Sequence, residues 1–252
     1  KMSTLKGKIV WINGAGSGIG LAGAEALADG GATVILSGRR ADVIEAAAKK
    51  IKGAVALPLD ITKETDVAKA HAEIEKKHGI VDILVNSAGG NLPKRKFDEL
   101  TPESWRMMID MNLNGAFFSA RIVLPGMRKK KAGLIINIAS IAGKRVSQVS
   151  GMSYTAAKHA MVAFSEAINQ EECANNIRAC AISPGEVATP ILDKRPIPPS
   201  QEERAKMLQP EDLGRIIRFV AETPAHVAIH ELLVVPTWNR SVMGGADLKG
   251  KL

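Results

Sequence analysis

Short, wholly apolar runs alternate with longer amphipathic or alanine-rich segments along nearly all of the 252 residues, and that rhythm leaves few folds open. Ile135-Ile136-Asn137-Ile138 and Val34-Ile35-Leu36 lack polar alternation, as strands buried on both faces do. In chain order the pattern predicts a strand over Lys8–Asn13, a helix over Ile19–Ala28, a strand over Thr33–Ser37 and a helix through Asp42–Ile51. Strands over Val55–Leu59 and Ile80–Asn86 flank a helix over Glu64–His78. A long helical region covers Pro102–Arg128, followed by strand Leu134–Ala139, helix Tyr154–Cys173 and strand Ile177–Ser183. Helix Glu211–Glu222 precedes a last strand near Glu231–Val235. Such repetition favours a parallel sheet covered by helices on both sides. Right-handed crossovers then force a doubly wound α/β arrangement, with ligands at the carboxyl ends of the strands.

No stretch rich in Gly, Ser or Pro divides the chain, so one domain over residues 1–252 is expected. The irregular segment is Gly185–Pro210, with prolines at 190, 196, 198, 199 and 210. It is too irregular for a core element and is predicted to be a mobile lid or substrate-binding loop. The net charge of +8 raises the question of nucleic acid, but aromatics are only 4%, which leaves little to stack on bases. The densest basic run, Arg128-Lys129-Lys130-Lys131, reads as a helix end, where cations complement the dipole. Neither a nucleic-acid partner nor a membrane span is expected, since no apolar run approaches roughly 18 residues. Cys173 and Cys180 are too few for a disulfide framework or a metal site. Lys1–Thr4 has no signal-peptide core, and the expected location is the cytoplasm. Five histidines show no metal-ligand spacing, and His71 and His78 are expected to be solvated.

Asn13-Gly14-Ala15-Gly16-Ser17-Gly18-Ile19-Gly20 follows the first strand and opens the first helix. Glycines there allow a tight turn, close approach of a pyrophosphate and close helix–strand packing. The helix start adds unpaired N–H groups and a partial positive charge. Gly14, Ser17, Gly18, Ile19 and Gly20 are thus candidate dinucleotide contacts on a Rossmann-like sheet. The second strand ends in Ser37-Gly38-Arg39-Arg40, with no carboxylate before Asp42. An NAD site would place an acidic residue there to accept from the ribose 2′-hydroxyl. Arg39 suits a 2′-phosphate instead, so NADP(H) is expected over NAD(H), which stays possible. Asp60 and Ile61 close the third strand, and Asn86-Ser87-Ala88-Gly89 closes the fourth, both on the ligand edge. Asp60, Ile61, Asn86, Ala88 and Gly89 join the candidates, with capping by Asp60 and a turn at Asn86 as the bland alternatives.

Tyr154 and Lys158 are four apart and share a helix face. A tyrosine with its ordinary pKa near 10 exchanges protons poorly at neutral pH, and a nearby ammonium favours its phenolate. Ser140 stands at the end of the fifth strand. With the glycine turn, Asp60, Asn86-Ser87-Ala88-Gly89, Asn112 in Met111-Asn112-Leu113-Asn114-Gly115, Tyr154-Thr155-Ala156-Ala157-Lys158 and Pro184-Gly185, the chain resembles the short-chain dehydrogenase/reductase family over nearly its whole length. Asn13 stands where the family usually has threonine, and Ser87 where it has a second asparagine. Thirteen residues separate Ser140 from Tyr154, one more than is usual there.

The resemblance implies a nicotinamide-dependent oxidoreductase moving hydride between cofactor and a carbonyl or alcohol, as a ketone reductase, a secondary-alcohol dehydrogenase or a 3-oxoacyl type. It implies Tyr154 as general acid or base, Ser140 on the substrate oxygen, and Lys158 on the cofactor ribose. Asn112 would hold a water behind Lys158. Pro184, Gly185, Val187 and Thr189 would line the nicotinamide. No metal is required, because the cofactor carries the hydride. A homo-oligomer, tetramer or dimer, is implied through the long helices and the C-terminal segment. The alternative is a non-catalytic NAD(P)-sensing protein, against which the intact Ser140, Tyr154, Lys158 and Asn112 speak. The substrate is a small molecule whose walls would come from Gly185–Pro210 and Pro93–Phe97. Their mixture of Ile191, Leu192 and Met207 with Lys94, Arg95, Lys194 and Arg195 admits oxoacyl esters, sugars, steroids or simple ketones.

Overall fold

The computed structural model describes residues 4–195 and 197–240, with the side chain of Lys194 outside the described set. Seven strands alternate with helices: β1 (Ile9–Asn13), α1 (Gly18–Asp29), β2 (Thr33–Ser37), α2 (Ala41–Lys50), β3 (Ala54–Ala56), α3 (Glu64–His78) and β4 (Ile83–Asn86). Then come α4 (Pro102–Ile109), α5 (Gly115–Lys130), β5 (Gly133–Ile138), α6 (Met152–Glu172), β6 (Ile177–Pro184), α7 (Gln201–Ala205), α8 (Pro210–Glu222) and β7 (Glu231–Val234). The strands form one sheet in the order β3-β2-β1-β4-β5-β6-β7, and every neighbouring pair is parallel. The winding direction reverses between β1 and β4, which opens a crevice above their carboxyl ends.

Successive strand residues point to opposite faces, so each apolar run feeds two cores. Val10 and Ile12, Val34 and Leu36, and Leu134, Ile136 and Ile138 pack with Leu27 of α1, Ile44 of α2 and Ile217 of α8. Trp11, Ile35, Leu84 and Ile135 face the other way, onto Val67 and Ile74 of α3, Val123 and Met127 of α5, and Ile168 of α6. Each such side chain removed from water contributes roughly 1.5–3 kcal/mol.

Four expectations change in detail. β3 ends at Ala56 rather than Leu59, although Leu57 N–H still donates to the Leu36 carbonyl at 2.9 Å and Leu59 N–H to the Gly38 carbonyl at 3.1 Å; Pro58, between them, sits on the edge strand, where its missing N–H costs the sheet no bond. The long helical region is broken by a π-type turn over Asp110–Asn114 between α4 and α5, which turns Asn112 inward. His71 is not solvated. It lies on the stripe of α3 formed by Val67, Ala70, His71 and Ile74, is 7% exposed, and its ring centroid is 6.3 Å from that of Trp11. Burial lowers its pKa, with Glu75 opposing. Finally, Gly185–Pro210 is not wholly irregular: a 3₁₀ turn over Pro190–Lys194 and α7 lie within it, and Val187 pairs with Leu208. Pro196 lies outside the described residues.

The basic run does end a helix. α5 stops at Lys131, in the left-handed conformation at φ 52°, with Arg128 paired to Glu172 and Lys130 to Asp82. Cys180 is buried in β6 and burial pushes its thiol up to about 12, while Cys173 is exposed. Among the described residues no helix is long and apolar enough to cross a membrane, and no group of His, Cys, Asp and Glu could hold a metal ion.

Candidate active site

A cleft of about 800 Å³ runs along the carboxyl edge of the sheet. Its first wall is the turn between β1 and α1. Gly14 has φ +77°, and a Cβ there would lie 2.5 Å from the Ala88 backbone nitrogen, so only glycine lets the β1 and β4 loops meet. Ser17 precedes α1 in extended conformation and its side chain makes no capping bond. The first turn of α1 carries no acidic residue. Its leading N–H groups have no intrahelical partners and face the cleft with the positive end of the dipole. This is a cradle for an anion, and it fits the phosphates of a dinucleotide. Gly14, Ser17, Gly18 and Ile19 line the cleft; Gly20 does not, because it packs against the turn, where a Cβ would meet the Gly14 carbonyl oxygen at 2.3 Å.

Arg39, exposed at the end of β2, lines the same cleft with Arg40, Asp60 and Ile61. Asp60 Oδ1 accepts from the Thr62 backbone N–H at 3.1 Å and from its hydroxyl at 2.8 Å, while Lys63 takes the cap position of α3. Asp60 therefore braces a turn rather than capping the helix. Ala88 and Gly89 also line the cleft.

Asn86 does not. Its carboxamide is buried in a ladder across three adjacent strands, at the register where Asn13, Asn86 and Asn137 stand side by side. Asn13 Nδ2 donates to Asn86 Oδ1 at 3.1 Å and to Ser119 Oγ at 3.0 Å; Asn86 Nδ2 donates to Asn137 Oδ1 at 2.8 Å; Asn137 Nδ2 donates to Ser165 Oγ at 2.9 Å. Ser119 and Ser165 belong to α5 and α6, so the ladder ties both helices to the strand ends beneath the cleft.

The opposite wall carries Ser140, Tyr154 and Lys158. Ser140 leaves β5 in extended conformation, and its Oγ accepts from the Ala142 N–H at 3.1 Å. Tyr154 lies in the first turn of α6 and lines the same cleft as Ser140. The loop between them carries Val146, which is 85% exposed. Lys158, 4% exposed, donates to the Ile138 carbonyl at 2.8 Å and lies 5.5 Å from the Tyr154 ring centroid. Burial lowers its pKa to about 8. Burial raises the Tyr154 phenol, opposed by the Ser140 hydrogen bond and by the charge of Arg195. The sequence points to Lys158 as the cation acting on the phenol and gives no sign of Arg195 in that role.

Asn112 is buried in the π-type turn. Its Nδ2 donates to the Gly90 carbonyl at 3.1 Å and the Met108 carbonyl at 3.0 Å, and its Oδ1 accepts from the Gly90 N–H at 3.2 Å. A Cβ on Gly89 would lie 2.8 Å from Asn112 Oδ1 and 3.5 Å from Lys158 Nζ, so the two side chains flank one point of the cleft floor. Pro184, Gly185, Val187 and Thr189 close the cleft from the end of β6, and the Thr189 methyl reaches over Gly18.

Comparison with known proteins agrees with this architecture. Residues 8–198 match the family model described as short chain dehydrogenase. An uncharacterized oxidoreductase of Staphylococcus saprophyticus is 35% identical over 240 residues, covering 93% of this chain and 100% of that protein. Among solved structures, a 3-ketoacyl-(acyl-carrier-protein) reductase from Brucella melitensis complexed with NADH is similar with TM-score 0.83 and 30% identity, over 92% of this chain and 98% of that one. An alcohol dehydrogenase from Thermococcus sibiricus complexed with 5-hydroxy-NADP is similar with TM-score 0.82 and 26% identity, over 92% and 98%. With a glycine turn, a serine, a tyrosine and a lysine on one sheet edge, the chain belongs to the short-chain dehydrogenase family and is an oxidoreductase of that family.

Proposed function

We propose that this protein transfers hydride between NADP(H), preferred over NAD(H), and a small carbonyl or secondary-alcohol substrate, with Ser140, Tyr154 and Lys158 handling the substrate oxygen and its proton. The observation that carries the reading is Ser140, Tyr154 and Lys158 together in the same cleft as the glycine turn, with Lys158 Nζ 5.5 Å from the Tyr154 ring centroid. When bound, the nicotinamide supplies or accepts the hydride. Ser140 donates to the substrate oxygen and steadies its growing charge. Tyr154 gives its phenolic proton to that oxygen during reduction and takes it back during oxidation. A phenol raised by burial stays protonated at neutral pH, which suits reduction, and the charge of Arg195 eases the return direction.

The cradle of Gly14–Ile19 would hold the pyrophosphate, with Asp60 and Ile61 beside the adenine. Arg39, exposed and without a carboxylate neighbour on β2, would receive the 2′-phosphate. Asn112 fixes the Gly90 segment and so positions the floor of the site behind Lys158. Gly185–Pro210 would act as the substrate loop, and the protein would work in the cytoplasm as a homo-oligomer. The C-terminal segment expected to join that assembly lies, from residue 241, outside the described residues.

The test is a panel of ketones and secondary alcohols offered with each nucleotide, followed by the absorbance of the reduced nicotinamide. Turnover that is faster at low NADPH than at equal NADH is expected. Nucleotide binding with no turnover of any panel member would favour the sensing protein instead.

A further inference from the structure

The segment that follows β7 runs against the loop that leaves β6. A Cβ on Gly185 would lie 3.1 Å from Val235 Cγ1 and 3.2 Å from Pro236 Cδ. Further along, the Trp238 ring centroid is 5.0 Å from Lys206 Nζ, just past the end of α7. Arg240 is wholly buried between two carboxylates: its Nη1 is 3.5 Å from Glu186 Oε1 and its Nη2 is 3.4 Å from Glu203 Oε1. Glu186 opens the loop and Glu203 stands in α7, so one cation spans both arms. Each carboxylate also works within the loop. Glu186 Oε1 accepts from Arg195 Nη1 at 2.6 Å, and Glu203 Oε2 accepts from the Ser200 backbone N–H at 3.0 Å, which caps α7. The main chain adds Ala188 N–H to the Leu208 carbonyl at 2.8 Å and Leu208 N–H to the Glu186 carbonyl at 3.1 Å.

These contacts differ in kind. Arg204 Nη2 donates to Asp193 Oδ1 at 2.5 Å, but the Asp193 side chain is 63% exposed, and a pair so open to water holds little. Arg240 has left water altogether, where a guanidinium is costly unless carboxylates meet it. Removing it takes positive charge from both Glu186 and Glu203. The chain relieves that most readily by letting α7 move out into water, which opens the loop and leaves the sheet as it is. Glu186, Val187, Thr189 and Leu192 line the cleft, whereas Glu203 and Arg240 do not. Arg240 therefore acts on the site through the loop and touches nothing that reacts.

We propose that Arg240 is a positioning residue: it straps the substrate loop in place by bridging Glu186 to Glu203 of α7, and the loop opens when that bridge breaks. Its effect on substrate rests on the oxidoreductase reading above; its effect on the loop does not.

Amide hydrogen exchange of the full chain without ligand, read residue by residue by NMR, tests the strap. The Ala188 and Leu208 amides report on the loop, and those of Leu84 and Ile135 report on the sheet. Arg240→Met and Glu203→Gln should each speed exchange at Ala188 and Leu208 by about tenfold or more, as the loss of a charge-assisted contact implies, with the sheet amides unchanged. Glu203→Gln keeps an acceptor for the Ser200 N–H, so a lost cap is not the cause. Arg240→Lys should stay closer to the wild type, and the double variant should exchange no faster than Arg240→Met alone. Should Arg240→Met fail to fold, Glu203→Gln decides. Unchanged exchange at Ala188 and Leu208 in Glu203→Gln overturns the proposal. So does equal acceleration at all four amides, which would make Arg240 an ordinary core residue. For a substrate that the wild type turns over, KM should rise about tenfold in both variants and kcat should change less; an unchanged KM beside faster exchange overturns the link to the site. If the wild type turns over no panel member, the oxidoreductase reading falls and the exchange result alone judges the strap.

Discussion

At its β1–β2 end the cleft is made of backbone: a glycine turn, the open start of α1, and the exposed arginines after β2. At its β5–β6 end it is made of side chains taken out of water, with Lys158 and Arg95 buried and Glu186 paired with Arg195. On the proposed reading the first construction would meet what all dinucleotides have in common, because N–H groups and a dipole are indifferent to the rest of the molecule. The second costs desolvation, and a cost of that kind is retained where a particular charge or proton must be met. That reading separates generic binding from specific chemistry along one sheet edge, with Tyr154 at the boundary.

The hardest blow to that division is Tyr154→Phe. Removing one hydroxyl should lower turnover by about 10²–10⁴-fold, the range of general acid–base catalysis, with nucleotide affinity unchanged. Stopped-flow binding beside steady-state rates checks it; a fall in affinity of similar size would merge the two halves. Next in size is Arg39→Gln. A lost charge-assisted bond of about 1.5–3 kcal/mol should weaken NADP(H) by roughly 10–150-fold and leave NAD(H) unmoved. Equal losses for both nucleotides would remove Arg39 from the ribose site.

The same division explains how much could be read in advance. The strands other than β3 and the glycine turn were legible because period, apolarity and turn chemistry are local. Cross-strand neighbours are not local. Asn13, Asn86 and Asn137 are 73 and 51 residues apart in the chain, and only the register makes them a ladder. Asn86 accordingly resembles a ligand contact in sequence and is a strut in space. Arg195 and Glu186 meet through an irregular segment whose course no pattern predicts. The inward stripe of α3 could have placed His71, since it falls on the same face as Val67 and Ile74.

Asn86→Ala tests the strut. It removes two buried hydrogen bonds and strands the Asn137 oxygen, so a loss of about 2 kcal/mol is expected. For a chain of this size the melting temperature should fall by about 4–8 °C. Nucleotide affinity should hold. If affinity falls while the melting temperature stays, Asn86 contacts the ligand after all.

The smallest effect lies in the pH dependence of stability, and it isolates Lys158. Its pKa falls from 10.5 in the open chain to about 8 when buried, so the folded state resists protonation there. Below pH 8 both states carry the proton and the full burial cost applies. Between pH 8 and 10.5 the unfolded chain binds more protons than the folded one, so stability must rise with pH. From about pH 8 to about pH 9 the Lys158 contribution amounts to about 1 kcal/mol. Denaturant unfolding of the wild type and of Lys158→Met at both pH values should show that difference only in the wild type. A parallel pair would mean that the ammonium is solvated, and the buried, chemically specific end of the cleft would lose one of its members.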